Sequence, residues 1–296
     1  MSNSPLAVPP ASIFKKVQQA AHIKMPEMSF MDHLEALRWH LVRSVIVWLI
    51  AVIAIFIYID KVFDQVIYAP AKSDFITYTG LCNLSHKFHL GDALCMPPVN
   101  IPLQGNTISG PFMSAISIAM IGGLIVAFPY IFWELWRFIK PALSAKEIRA
   151  SRGGIFWVSF FFLAGSAFGY FLLAPFTFNF LANFTLGGVG AYKYLPTLDD
   201  YISSLNNIIL GCGLAFELPV MAYVLARIGI VTGTFLKRTR KYSFVIILIL
   251  AAVITPSPDW TSQFLVAIPL LILMELSIII ASRVEKQRKA EMESVI

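Results

Sequence analysis

Residues 28–59 read MSFMDHLEALRWHLVRSVIVWLIAVIAIFIYI, and the change of character halfway along decides the fold. Up to Arg43 the segment mixes Asp32, His33, Glu35, Arg38 and His40 with apolar residues; beyond Arg43, residues 44–59 carry no charge. Phe30, Leu34, Leu37 and Leu41 recur at i, i+4, i+7 and i+11, which is one apolar stripe of a helix. Ser29 and Asp32 have the spacing of a capping box, with Asp in place of the usual Glu or Gln. The stretch therefore predicts a helix that starts near residue 29 with its charges on an aqueous surface and then enters a membrane. Mixed acidic and basic residues at such an entry point to a surface that reads something.

The whole chain supports a membrane setting. Of its 296 residues, 57% are hydrophobic and 14% charged, with mean hydropathy +0.73; a soluble domain carries about a quarter charged residues. Six apolar segments are candidate spans: residues 41–59, 108–133, 153–175, 201–226, 242–254 and 264–281. A span needs about 20 residues, so the second and fourth are long and the fifth is short. The fold class expected is all-α and polytopic. Residues 1–27 contain Pro5, Pro9, Pro10 and Pro26 and lack the apolar core of a cleavable signal. Residues 1–28 read as a tail, 29–283 as the membrane domain and 284–296 as a second tail.

Lysine and arginine sort by connection. The N-terminal part through Arg43 has five, the connections after spans two and four have five each, and the C-terminal tail has four. The alternate connections have three, one and none, so 19 of the 23 lie on one side. The positive-inside rule then places both termini in the cytoplasm. The net charge of +6 follows from this topology and not from a nucleic-acid partner.

The connection at residues 60–107 faces the outside in this topology and holds Cys82 and Cys95, with His86 and His89 between them. In an oxidising compartment a disulfide is the expected state. Two free thiols, or zinc held by the C-x3-H-x2-H-x5-C pattern, remain open at this level. Cys212 falls within span four and reads as a small packing residue.

Glu217, in GLAFELPV, is the main anomaly, because a carboxylate deep in a bilayer is costly and faces protein or water. Asn206 lies about 20° from it in projection, and Ser203 and Gly213 within about 40°, which makes a polar stripe. Pro219 removes the donor for the carbonyl of Ala215 and loosens the helix there. The stripe reads either as a functional intramembrane site or as glue between helices. Glu275, nearer the basic end of its span, reads as a structural acid. Glu134 sits among Trp133, Trp136 and Arg137 and reads as an interfacial acid, solvated or salt-bridged. None of the five histidines lies inside a span and no P-loop or dinucleotide motif appears, so the chain is read as a non-enzyme without cofactor or metal centre.

Several blocks resemble the TatC family, the core subunit of the twin-arginine protein translocase. They are MDHLEALRWHL before span one, YAP at residues 68–70, FPYIFWELWRFIKPALSAKE at 128–147, FELPV at 216–220 and ITPSPDWTSQFLVAIPLLILMEL at 254–276. The resemblance implies a curved, glove-like wall of six helices, with short fifth and sixth helices, in the bacterial inner membrane. It implies a receptor for signal peptides bearing two arginines, TatB-like and TatA-like single-span partners, hetero- and homo-oligomers in membrane lipid, and export of folded proteins on the proton-motive force. Carried over by position, it implies signal-peptide binding at Arg38 and Glu147, with Glu35 close by, and an intramembrane role for Glu217. A pair of guanidinium groups needs carboxylates at the surface that reads it, since charge-assisted bidentate pairs supply specificity.

The match has departures. The family commonly has glutamine where Glu134 stands and a shorter external loop, and ITPSPD is one residue longer than its usual counterpart. In the family's H-L-x-E-L-R motif the acid position is occupied here by Ala36, with Glu35 turned about 100° away. The rival reading is a proton-coupled small-molecule or ion transporter that uses Glu217; a purely structural scaffold is a third.

Overall fold

A computed structural model describes residues 30–89, 91–92, 95–97, 100–142, 153–183, 195–229, 231–255 and 260–293. Among them there is no strand, only one isolated bridge between Gln104 and Thr197. Helix α1 (Phe30–Ile57) joins the charged lead-in and the first span in one rod, and Ser29, the expected cap, lies outside the described residues. After it come α2 (Ile59–Val62), a π turn (Phe63–Ile67), a 3-10 turn (Ala69–Ala71) and α3 (Ile76–Lys87). The chain continues as α4 (Gly110–Ile139), α5 (Gly154–Phe168), a π turn (Gly169–Leu173), α6 (Ala174–Asn183), α7 (Leu198–Ala215) and α8 (Leu218–Ile228). It closes with α9 (Gly233–Arg238), α10 (Arg240–Ile254) and α11 (Trp260–Glu293).

Five helical stretches are long and apolar enough to cross a membrane: Leu34–Ile57, Gly110–Ile139, Gly154–Asn183, Leu198–Arg227 and Gln263–Gln287. The sixth candidate, α10, has 15 residues, about 22 Å at 1.5 Å per residue, short of a hydrocarbon core of about 30 Å. Two boundaries differ from the sequence reading. The third span does not stop at Pro175 but runs on to Asn183. The π turn before α6 ends one helix and starts another, so the proline falls in a first turn where its missing N–H costs little. The last helix is not short, because α11 continues through residue 283 to Glu293 over 34 residues. Its apolar part is followed by SRVEKQRKAEME, which favours helix once outside the bilayer.

α7 lies at the centre. Tyr201, Ile202, Leu205, Ile208 and Cys212 are buried, and α4, α5 and α10 pack around them. α1 lies along α4, where the absent side chain of Gly123 lets Val52 approach; a Cβ there would come within 2.7 Å of the Val52 side chain. The rest of α1 is open, with Trp39, Leu41, Ile50 and Ile53 all exposed, as suits a surface bathed in acyl chains. At the end opposite the basic connections, tyrosines tie irregular backbone together. Tyr68 donates to the carbonyl of Ile101, Tyr201 to that of Ile67, and Tyr78 to those of Pro70 and Pro175. The YAP stretch is thus a backbone corner held by side-chain donors to backbone carbonyls.

Candidate functional site

Glu217 sits where α7 and α8 part. α7 ends at Ala215 and α8 begins at Leu218, with Pro219 in its first turn and Glu217 as the residue before the helix. The break is the one Pro219 imposes, since it can offer no donor to the preceding turn. Glu217 is about 16 Å along the axis from the end of α8, well inside the apolar stretch Leu198–Arg227. Its side chain is half-buried, and its Oε1 is enclosed with no hydrogen-bond partner.

The neighbouring helix α5 meets it closely. A Cβ on Gly165 would come within 2.5 Å of the Cys212 carbonyl, and one on Gly213 within 2.6 Å of Ser166 Oγ. Small residues let the two backbones touch, as membrane helices do when apolar burial gives them no drive to associate. Ser159 Oγ and Ser166 Oγ on α5 are also enclosed without partners. Ser166 Oγ and the Glu217 carboxylate thus belong to one seam of α5 with α7 and α8, inside the apolar region.

The predicted polar stripe is not one site. Asn206 is buried and donates to Ser117 Oγ across to α4 at 3.1 Å, so it serves as interhelical glue. Ser203 is exposed, and Gly213 provides the close approach to α5. Projection on a helical wheel ignored the neighbours that divide the stripe. Glu275 accepts from Arg240 Nη2 at 2.8 Å and holds α11 to the start of α10. Glu147 and Asp259 lie outside the described residues. Glu35 and Arg38 are exposed on the lead-in of α1, and Ala36 is half-buried.

One turn beyond Ala36 lies a cluster that the residues alone did not suggest. Glu134 is 1% exposed, which decides between its solvated and salt-bridged readings in favour of the second. His40 Nδ1 lies 2.5 Å from its Oε2, Tyr130 donates to Oε1 at 3.0 Å, and Arg137 Nη1 stands 3.6 Å away. The Arg137 guanidinium also covers the Trp133 ring, 4.9 Å from its centroid. The i, i+4 spacing of Tyr130 and Glu134 was a visible hint, but His40 is 94 residues away in sequence. The cluster fastens the charged end of α1 to α4.

Cys82 and Cys95 are joined by a disulfide, and Cys212 is a buried free thiol.

Comparison with known proteins places this arrangement. The family profile described as Sec-independent protein translocase protein (TatC) matches residues 32–269. A TatC from Blattabacterium sp. subsp. Periplaneta americana is 41% identical over 263 residues, covering 88% of this chain and 98% of the relative. One from Carboxydothermus hydrogenoformans is 35% identical, covering 86% and 93%. A crystal structure of a twin-arginine translocase receptor, TatC, superposes with TM-score 0.66 at 31% identity, covering 84% of this chain and 99% of that one. A family profile spanning most of the chain, together with relatives that it matches nearly end to end, shows that this multi-pass membrane protein belongs to the TatC family.

Proposed function

We propose that the chain is the receptor subunit of a twin-arginine translocase, which binds signal peptides with paired arginines and works with single-span TatA-like and TatB-like subunits to export folded proteins. The observation that carries this reading is the agreement along 84% of the chain with a structure of a twin-arginine translocase receptor. Glu35 and Arg38 stand exposed on the lead-in of α1, and Glu147 follows α4 in the sequence. The Glu35 and Glu147 carboxylates pair with the signal peptide's guanidinium groups. An apolar groove of about 490 Å³, lined by Phe132, Trp136, Trp157, Phe161, Pro219 and Tyr223 among others, opens between α4, α5 and α8. It suits the apolar part of such a peptide or a partner helix.

In this reading Glu217 is a polar anchor for a partner helix, and its unpaired Oε1 supports that role. Both termini lie in the cytoplasm, as the lysine and arginine distribution supports. α10 then crosses as a sixth, short span where the bilayer thins around it.

The test is photo-cross-linking. A twin-arginine signal peptide should link to probes at positions 35 and 147, and changing both arginines to lysine should weaken those links. No link in a complex that still exports cargo overturns the reading. Proton-dependent solute uptake by the purified chain alone would instead favour a transporter.

A further inference from the structure

The loop between α1 and α4 brings three metal-type donors together, Cys82, His86 and Cys95, with Asp92 against the histidine. Cys82 and His86 are one turn apart on α3, at i and i+4, and so lie on one face. Cys95 is bonded to Cys82 across the turn. His86 Nε2 lies 3.9 Å from Cys82 Sγ, 3.7 Å from Cys95 Sγ and 3.0 Å from Asp92 Oδ1. The sulfurs and the imidazole nitrogen all fall within 4.8 Å of one another.

These separations have a chemical meaning. Zinc bonds sulfur at about 2.3 Å and nitrogen or oxygen at about 2.0–2.2 Å in a tetrahedron, so its ligand atoms stand about 3.4–3.8 Å apart. The two sulfur edges that meet at His86 Nε2 are already close to that length, and the Asp92 edge is shorter. The turn is also held without the disulfide: Ser85 Oγ donates to the Gly91 carbonyl at 2.7 Å, and His89 and Gly91 adopt left-handed φ values of 58° and 60°. A staple alone accounts for the two cysteines but not for an imidazole facing them with a carboxylate against it. The His86–Asp92 pair has side chains 58% and 87% exposed, so as an ion pair it adds little.

We propose that in the reduced protein Cys82, His86, Asp92 and Cys95 form a tetrahedral site for a thiophilic divalent cation such as zinc. A dithiol reductant opens the disulfide by thiol–disulfide exchange. Two electrons and two protons pass to the cysteines, leaving two thiols, and the reductant leaves as its own disulfide. The two sulfurs then part, and zinc displaces both thiol protons while neutral His86 coordinates through Nε2. The loop thus has two closed states, one covalent and metal-free, the other reduced and metal-bound. His89, the other histidine of the C-x3-H-x2-H-x5-C pattern, is not among the three converging donors, and Asp92 joins them only through its contact with His86 Nε2.

The experiment uses the full chain in detergent. One portion stays oxidised; the other is reduced with dithiothreitol, which is then removed under argon, and thiol alkylation followed by mass mapping verifies the opening. The reduced protein should bind one zinc per chain and the oxidised protein none, and cobalt should give thiolate charge-transfer and tetrahedral bands. His86→Ala and Asp92→Asn should each weaken zinc binding by more than about tenfold, while still forming the disulfide on oxidation, which shows that the loop folds. No zinc uptake on reduction overturns the proposal. So does equal uptake by the oxidised chain or by the Cys82→Ser/Cys95→Ser double variant, or unchanged affinity in either ligand variant.

Discussion

Glu134 shows what a single residue gains from its surroundings. A carboxylate enclosed to 1% exposure is tolerable only with partners, and His40, Tyr130 and Arg137 supply them. Replacing His40 with leucine should destabilise the protein by about 2 kcal/mol, the order expected when a charged hydrogen bond is lost. The His40→Leu/Glu134→Leu double variant should recover much of that loss, because no buried charge is then left unpaired. Equilibrium unfolding in detergent checks both, and a double variant as unstable as the single one would contradict the pairing. Tyr78 gives a second case. It donates to the carbonyls of Pro70 and Pro175, and burial pushes its phenol well above the usual tyrosine range. A raised pKa in the folded state means its contribution is complete below about pH 10 and is lost as pH rises beyond that, because the unfolded phenol ionises first. Tyr78→Phe should lower stability by about 1–3 kcal/mol at neutral pH and flatten the alkaline fall in melting temperature. The long-range half of each partnership is not legible in the sequence, since His40 and Pro175 lie more than ninety residues from Glu134 and Tyr78.

Among the elements, the α5–α7 seam carries the most consequence. Gly165 leaves no room for a side chain, so Gly165→Leu should force the helices apart and cost at least about 1–3 kcal/mol, with export lost as the Glu217 seam opens. Glu217→Gln should behave differently. Its Oε1 has no partner, and an amide oxygen can keep the carboxylate's contact with the Phe162 backbone, so stability should change by less than about 0.5 kcal/mol while export falls. Export at the parental rate would remove Glu217 from the proposed anchor role. The helix break beside Glu217 was legible from Pro219 alone, because a missing N–H acts locally. The separation of Asn206 from Glu217 was not, because it depends on Ser117 of another helix. The length of α11 was hidden for a related reason: hydropathy marks where a helix leaves the membrane, not where it stops.

For the whole molecule, orientation and recognition are the open tests. The native thiols leave a quiet background for labelling, with Cys82 and Cys95 bonded and Cys212 buried. Asp60→Cys should therefore react with an impermeant maleimide from outside the cell, and Lys237→Cys only after permeabilisation. The reverse pattern would invert the proposed topology. At the lead-in of α1, Ala36→Glu places a carboxylate one turn before His40 and should raise signal-peptide affinity; unchanged affinity would mean that the parent surface is already sufficient.

By itself the sequence determined the class, the approximate position of the apolar segments, the uneven distribution of basic residues and the weak point at Pro219. Each of these follows from local chemistry: apolar length, charge counted per connection, or a donor absent from one peptide unit. Tertiary structure decided which polar groups are satisfied and which stand free. Glu134 is paired, Asn206 is spent on Ser117, and the Oε1 of Glu217 is left without a partner. That difference depends on what the opposing helix presents at each depth, and no periodicity within a single helix encodes it.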